Sequence, residues 1–211
     1  MIRRVYEQVS KAQKIDELYV ATDDERIFKE VESFDGQVVY TSASCRNGTE
    51  RSIEALEKIG DFDLLLNVQG DEPFIHPEDL DQLLELFNNP EVDIASLRKP
   101  IEKEEDFRNP NRVKVVSNEF GEAKYFSRSP IPYSEKGIPD QAFMHVGVYA
   151  FRTNILAKLK DLKPKAIELS ENLEQLRWLM SGFRIFLADT DYDPIGIDHP
   201  EDLEKARALI H

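Results

Sequence analysis

Asp71 stands just past the most apolar run of the chain, Leu64-Leu65-Leu66-Asn67-Val68-Gln69, in a turn with Gly70 and Pro73. In open α/β sheets, ligands bind in the crevice outside the carboxyl ends of the strands. An aspartate at this place either shapes the turn or reaches a ligand. Asp198 closes a second short apolar run, Pro194-Ile195-Gly196-Ile197, directly before a helical pattern. Local sequence favours a helix N-cap there. Two carboxylates on separate strand-end loops could instead share a magnesium ion, which takes one or two carboxylates and fills its remaining positions with water and phosphate oxygens.

Other residues suit recognition. Asn47-Gly48-Thr49-Glu50-Arg51 reads as a loop-to-helix junction. It is either an ordinary cap with a surface arginine or a place where the backbone approaches a planar ring or a phosphate. Arg128, where Tyr125-Phe126-Ser127 breaks toward Pro130, either makes a surface salt bridge or holds a carboxylate in a bidentate fork. Glu174 and Gln175 are adjacent on a predicted helix, where such residues are ordinarily solvated.

Several chemistries are excluded. The histidines, His76, His145, His199 and His211, lack zinc-ligand spacing, and Cys45 is the single cysteine. No two glycines lie closer than ten positions, so there is neither a Walker loop nor a dinucleotide fingerprint. The 41 acidic against 27 basic residues give a formal net charge of -14, which argues against a nucleic-acid partner. An anionic small molecule remains compatible, because a few bases in one cleft can focus a local field. No apolar run approaches the ~18 residues of a membrane span, and the amphipathic start is not a signal peptide, so the expected location is the cytoplasm with no membrane partner.

The elements that must position these residues alternate. Helical spacing of Ile2, Val5, Tyr6 and Val9 opens the chain. A strand at 18–22, a helix at 24–33, a strand at 37–41, a helix at 49–58, the strand at 64–69 and a helix after Pro77 follow. This order predicts an α/β class with a mainly parallel sheet. From Asp93 to Phe151 the pattern turns β-rich, with strands at 94–97, 113–116, 123–126 and 146–151. Five of the eleven prolines lie in its loops. It reads as an insertion packed on the sheet. A helix at 170–180, a strand at 184–188 and a helix at 200–210 close the chain. The pentapeptide His-Pro-Glu-Asp-Leu occurs at 76–80 and again at 199–203, as helix-start chemistry.

Taken together, these segments resemble the CMP-Kdo synthetases, the 3-deoxy-manno-octulosonate cytidylyltransferases. Asn67-Val68-Gln69-Gly70-Asp71-Glu72-Pro73 matches that family's signature. Val20-Ala21-Thr22-Asp23, Gly48-Thr49-Glu50-Arg51, Tyr125-Phe126-Ser127-Arg128, Leu173-Glu174-Gln175-Leu176-Arg177 and Gly196-Ile197-Asp198 with Pro200-Glu201-Asp202-Leu203 follow the family's order. His145-Val146-Gly147-Val148-Tyr149 resembles its His-x-Gly-x-Tyr strand.

The resemblance implies one Rossmann-like nucleotidyltransferase domain over 1–211, with the β-rich sugar-binding and dimerisation insertion at about 98–152. It implies transfer of CMP from CTP to 3-deoxy-D-manno-octulosonate (Kdo) for lipopolysaccharide biosynthesis, with Mg2+ held by Asp71 and Asp198 and a homodimer as the assembly. By the same resemblance Asp23, Arg46, Asn47, Gly48 and Arg51 face the nucleotide. Gln69, Arg128, His145, Tyr149, Glu174 and Gln175 surround the sugar acid. Alternatives are a cytidylyltransferase for another acidic sugar, such as a sialic acid, and a non-catalytic binding domain on the same fold. Family members begin with a strand and a basic phosphate loop, whereas this chain starts at the family's first helix. Without a central strand, neighbouring strands would keep unpaired N–H and C=O groups, so the chain as written is expected to be unstable or inactive.

Overall fold

The computed structural model describes residues 1–194 and Glu204. The chain divides into two compact units, Met1–Asp81 together with the described residues from Tyr192 onward, and Gln82–Asp191.

The first unit alternates as the sequence predicts: α1 (Ile2–Val9), β1 (Val20–Thr22), α2 (Glu25–Glu32), β2 (Val38–Tyr40), α3 (Gly48–Ile59) and β3 (Leu64–Asn67), after which α4 (Pro77–Glu85) begins. β1 and β2 pair in parallel, with Val20 opposite Val38 and Thr22 opposite Tyr40. Local chemistry fixes the helix starts. Asp24 caps α2 by accepting the Arg26 N–H at 2.8 Å, and Asn47 caps α3 by accepting the Glu50 N–H at 2.9 Å. α1 buries Val5 and Val9, one turn apart, and carries an Arg3–Glu7 pair (2.9 Å) among its outer residues. α4 starts at Pro77 with Glu78 and Asp79 in its first turn, as its pentapeptide predicts. The second copy of that pentapeptide and the expected helix at 200–210 lie outside the described residues, Glu204 excepted.

The second unit contains β4 (Ile94–Pro100), α5 (Glu104–Arg108), β5 (Lys114–Ser117), β6 (Ala123–Ser127), β7 (Phe143–Arg152), α6 (Leu156–Lys160), α7 (Ala166–Glu171), α8 (Gln175–Leu179) and β8 (Ile185–Asp189). Its strands run in the order β6-β5-β7-β4-β8. β4 and β8 are parallel; the pairs β4–β7, β5–β7 and β5–β6 are antiparallel. These antiparallel pairs arise in the stretch that the sequence marks as β-rich. Ile94, Leu97, Val146, Ala150, Phe151, Leu176 and Ile185 are fully enclosed and form its core.

One expectation is corrected. The helix expected at 170–180 is two helices. Asn172, in the left-handed region at φ 52°, ends α7, and its N–H closes back on the Glu168 carbonyl. The buried face of the second helix then restarts at Gln175. α6 was not predicted; its five residues bury only Leu156 and Leu159, too short a pattern to show a period.

Candidate functional site

In the first unit, the ends of three strands meet the first turn of α3. The Arg51 guanidinium donates from Nη1 to Thr41 Oγ1 at 2.6 Å, and Nη2 lies 3.2 Å from Asp23 Oδ1. Thr41, directly after β2, is buried and gives its own N–H to the Thr22 carbonyl at 2.9 Å. Asp23 is further fixed through its carbonyl, which accepts from Tyr40 Oη at 2.6 Å. Arg46 stays mostly exposed. Its Nε and its backbone N–H both donate to the Glu50 carboxylate, at 2.8 and 2.9 Å.

Gly48 is tightly approached. A Cβ there would sit 3.0 Å from Gln69 Nε2 and 3.2 Å from Asn67 Nδ2. Two carboxamides from the end of β3 therefore lie against the α3 N-terminus because position 48 has no side chain. Asp23, Arg46, Asn47, Gly48, Arg51 and Gln69 are thus brought to one place. Gly48→Ala is expected to displace the Gln69 amide and to weaken binding of CTP, the nucleotide that the family resemblance implies, about five- to tenfold. Folding stability should change by less than ~1 kcal/mol, since alanine is the better helix former. Calorimetric titration with CTP beside denaturant unfolding separates the two effects.

Asp71 lies in the turn beyond β3, half-buried. Its carboxylate makes no hydrogen bond or ion pair among the described residues. The adjacent Glu72, by contrast, accepts the Tyr192 hydroxyl. A hard oxygen donor left available in this way suits Mg2+, which needs only one or two carboxylates and keeps its waters. Asp198 lies outside the described residues. No group of three or more potential metal-binding side chains occurs among the described residues.

The second unit assembles another cluster. On β7, His145 and Tyr149 stand 5.3 Å apart by ring centroids, and Tyr149 meets Trp178 of α8 edge-on at 5.1 Å. Burial, and secondarily the Glu174 charge, pushes the Tyr149 hydroxyl well above the ordinary tyrosine range. Gln175, expected to be solvated, is only 5% exposed, because it starts the buried face of α8. Glu174 is partly exposed and pairs with Arg177 at 3.2 Å; Arg177 also holds Glu168 at 3.0 Å.

Arg128 makes no side-chain ion pair among the described residues. Its Nε donates to the Glu171 carbonyl (2.7 Å), Nη1 to the Pro110 carbonyl (3.0 Å) and Nη2 to the Asn172 carbonyl (3.2 Å). Those bonds satisfy two carbonyls at the end of α7, where a cation is electrostatically favoured. Three of the five guanidinium N–H groups are occupied in this way, which leaves two for a carboxylate. Glu171 completes the joint by accepting from Arg128 N (2.8 Å) and Ser127 Oγ (2.7 Å).

Desolvation pushes the His145 imidazole down to about 3. An unfolded chain, with its histidine near 6.5, binds the extra proton over the interval between those values. The His145 contribution to stability is therefore complete above pH 6.5 and is lost as pH falls toward 3. From pH 6.5 to 5 this amounts to about 1–2 kcal/mol. Urea unfolding at the two pH values should show His145→Gln losing less stability than the parent by about that amount.

Sequence reading missed Ser96, Lys114, Glu171 and Trp178. Ser96 and Lys114 each interrupt a run of apolar strand residues yet are wholly enclosed, and that interruption is the signal that was available. Glu171 has no such signal.

Among the described residues no helix is long and apolar enough to cross a membrane. The Cytidylyltransferase family model matches residues 1–185. The chain is 47% identical to the 3-deoxy-manno-octulosonate cytidylyltransferase of Parabacteroides distasonis, covering 100% of this chain and 87% of that protein. It is 44% identical to the enzyme of the same name from Thermodesulfovibrio yellowstonii, covering 100% and 88%. Its structure is similar to that of a CMP:2-keto-3-deoxy-manno-octonic acid synthetase complexed with CTP, with a TM-score of 0.94 and 37% identity over 99% of this chain and 86% of the other. A 4-diphosphocytidyl-2C-methyl-D-erythritol synthase from Anaerococcus prevotii, at 17% identity and a TM-score of 0.65, shares the fold. A family model over most of its length and close relatives over all of it place this α/β chain in the 3-deoxy-manno-octulosonate cytidylyltransferase family.

Proposed function

We propose that this protein transfers a cytidylyl group from CTP to Kdo, giving CMP-Kdo and pyrophosphate. The observation that carries the reading is the full-length similarity to enzymes named for this reaction, one of them solved with CTP. The anomeric hydroxyl oxygen bonds to the α-phosphorus, the bridge to the β-phosphate breaks, and pyrophosphate leaves with the bonding pair. The hydroxyl proton passes to solvent. Such a step is chiefly positioning and charge neutralisation.

Around the α3 N-terminus, Asp23, Arg46, Asn47, Gly48 and Arg51 would hold the nucleotide. The Asp23–Arg51 pair and the Asn47 cap keep that turn rigid before ligand arrives. Asp71, with Asp198, would hold magnesium, which when bound neutralises charge building on the triphosphate. Gln69, Arg128, His145, Tyr149, Glu174 and Gln175 would receive the sugar acid. The two remaining Arg128 N–H groups suit its carboxylate, and the imidazole, phenol and carboxamide suit its hydroxyls. The same proposal includes a cytoplasmic homodimer that serves lipopolysaccharide biosynthesis.

The test is CMP-Kdo formation from CTP, Kdo and magnesium, read by mass spectrometry. It is run on the chain as given and on a form preceded by the strand and basic loop that the family resemblance implies. Product from either form that disappears with EDTA supports the reading. Product with N-acetylneuraminate and none with Kdo, or no product from both forms, overturns it.

A further inference from the structure

Ser96 is the one polar residue in the buried part of β4 and is completely enclosed. It lies where the β4–β7 ladder breaks. Ser96 faces Tyr149, but the next residue, Leu97, faces Val146, so Gly147 and Val148 of β7 are skipped. Such a bulge disrupts the ladder and leaves extra residues unpaired. The Ser96 hydroxyl fills the gap: Oγ lies 2.8 Å from the Val148 carbonyl and 3.2 Å from the Val146 carbonyl. The same oxygen is 2.8 Å from His145 Nε2.

A hydroxyl has one proton and two lone pairs. Both carbonyls are acceptors only, so the Ser96 proton is committed to them, the closer being Val148. The contact with His145 then has one consistent polarity, with Nε2–H donating to Ser96 Oγ. Were the hydroxyl to donate to Nε2 instead, two carbonyl oxygens would face it with no proton between, in a site closed to water. A neutral imidazole that carries its proton on Nε2 has its lone pair on Nδ1. Nδ1 has no hydrogen-bond partner among the described residues. Around the ring stand Phe126, edge-on at 5.0 Å, and Tyr149.

We infer that Ser96 is a positioning residue that locks His145 in the Nε2–H tautomer, so that Nδ1 is presented as an acceptor for a hydroxyl of the polyhydroxy acid. The inference rests on the reading of His145 as a sugar-facing residue. It adds a specificity element: the ring accepts from a hydroxyl and discriminates against an analogue that lacks it, because a bound sugar acid covers the partly exposed ring and its acceptor would then be left unpaired.

The experiment is a long-range nitrogen–proton NMR spectrum of the histidine-labelled chain, with His145 assigned by its loss in His145→Gln. The expected spectrum has a pyrrole-like Nε2 and a pyridine-like Nδ1. In Ser96→Ala the two nitrogens should move toward averaged values, and Ser96→Thr, which keeps the hydroxyl, should restore the parent pattern. A parent spectrum with the proton on Nδ1, or an unchanged pattern in a folded Ser96→Ala, overturns the lock. The parent spectrum alone decides this if Ser96→Ala fails to fold. Kinetically, Ser96→Ala should raise KM for Kdo about tenfold and leave KM for CTP unchanged, as loss of one oriented hydrogen bond requires; an unchanged KM for Kdo overturns the specificity role. Kdo added to the parent should shift the Nδ1 resonance. If the tautomer is locked but Nδ1 ignores Kdo, the lock stands and the sugar-facing reading of His145 falls.

Discussion

Asp71→Asn should reduce CMP-Kdo formation about a thousandfold while leaving the fold intact. The carboxylate is half-buried and has no hydrogen bond or ion pair among the described residues, so its replacement breaks none of those interactions. Asparagine is isosteric and serves a turn as well as aspartate does. What it lacks is the negative oxygen that a hard cation requires. Losing one such element of charge stabilisation costs on the order of 10²–10³ in rate, or more where a metal is lost with it. The readout is kcat for CMP-Kdo formation over a magnesium titration, beside far-ultraviolet circular dichroism. A variant within twofold of the parent would mean that Asp71 only shapes the turn.

Lys114→Met should destabilise the protein by about 2 kcal/mol. Lys114 is fully enclosed at the start of β5, and its Nζ donates to the Asn109 carbonyl (2.8 Å) and the Arg112 carbonyl (2.6 Å). Burial, with the Arg128 charge secondary, pulls this ammonium below the ordinary lysine range, and the Glu171 charge partly restores it. Methionine relieves the cost of enclosing a charge, which is why the expected loss is moderate. It leaves the Arg112 carbonyl without this donor, at about 1–3 kcal/mol, whereas the Asn109 carbonyl keeps the Arg112 N–H at 3.1 Å. The segment between those residues includes Pro110, whose carbonyl receives Arg128, so the Arg128 guanidinium should loosen as well. Denaturant unfolding measures the first effect. A rise in KM for Kdo at unchanged KM for CTP measures the second.

Much of the first unit was legible in the sequence. Asp24 and Asn47 are preferred caps directly before amphipathic runs, and the short strands between them are apolar and bounded by polar turns. The α7–α8 break was not legible, because asparagine, though among the non-glycine residues that most readily take the left-handed region, also occurs inside helices, and Asn172 alone does not distinguish the two. Nor was the surrounding of Arg128, since its partners are main-chain carbonyls, which every residue possesses. The β7 bulge was equally hidden: it is a mismatch in register between strands nearly fifty residues apart, and Gly147 alone does not announce it. Motif order therefore identified which residues to inspect, while their hydrogen-bond partners depended on long-range contacts.

The division of one expected helix into α7, six residues, and α8, five residues, bears on the order of assembly. Neither piece is long enough to persist as an isolated helix in water. Each acquires its shape only by condensing onto the strands already formed beneath it. The stretch that carries Glu174 and Gln175 therefore forms after the strands it covers, and its amide hydrogens should exchange faster than those of β4 and β8.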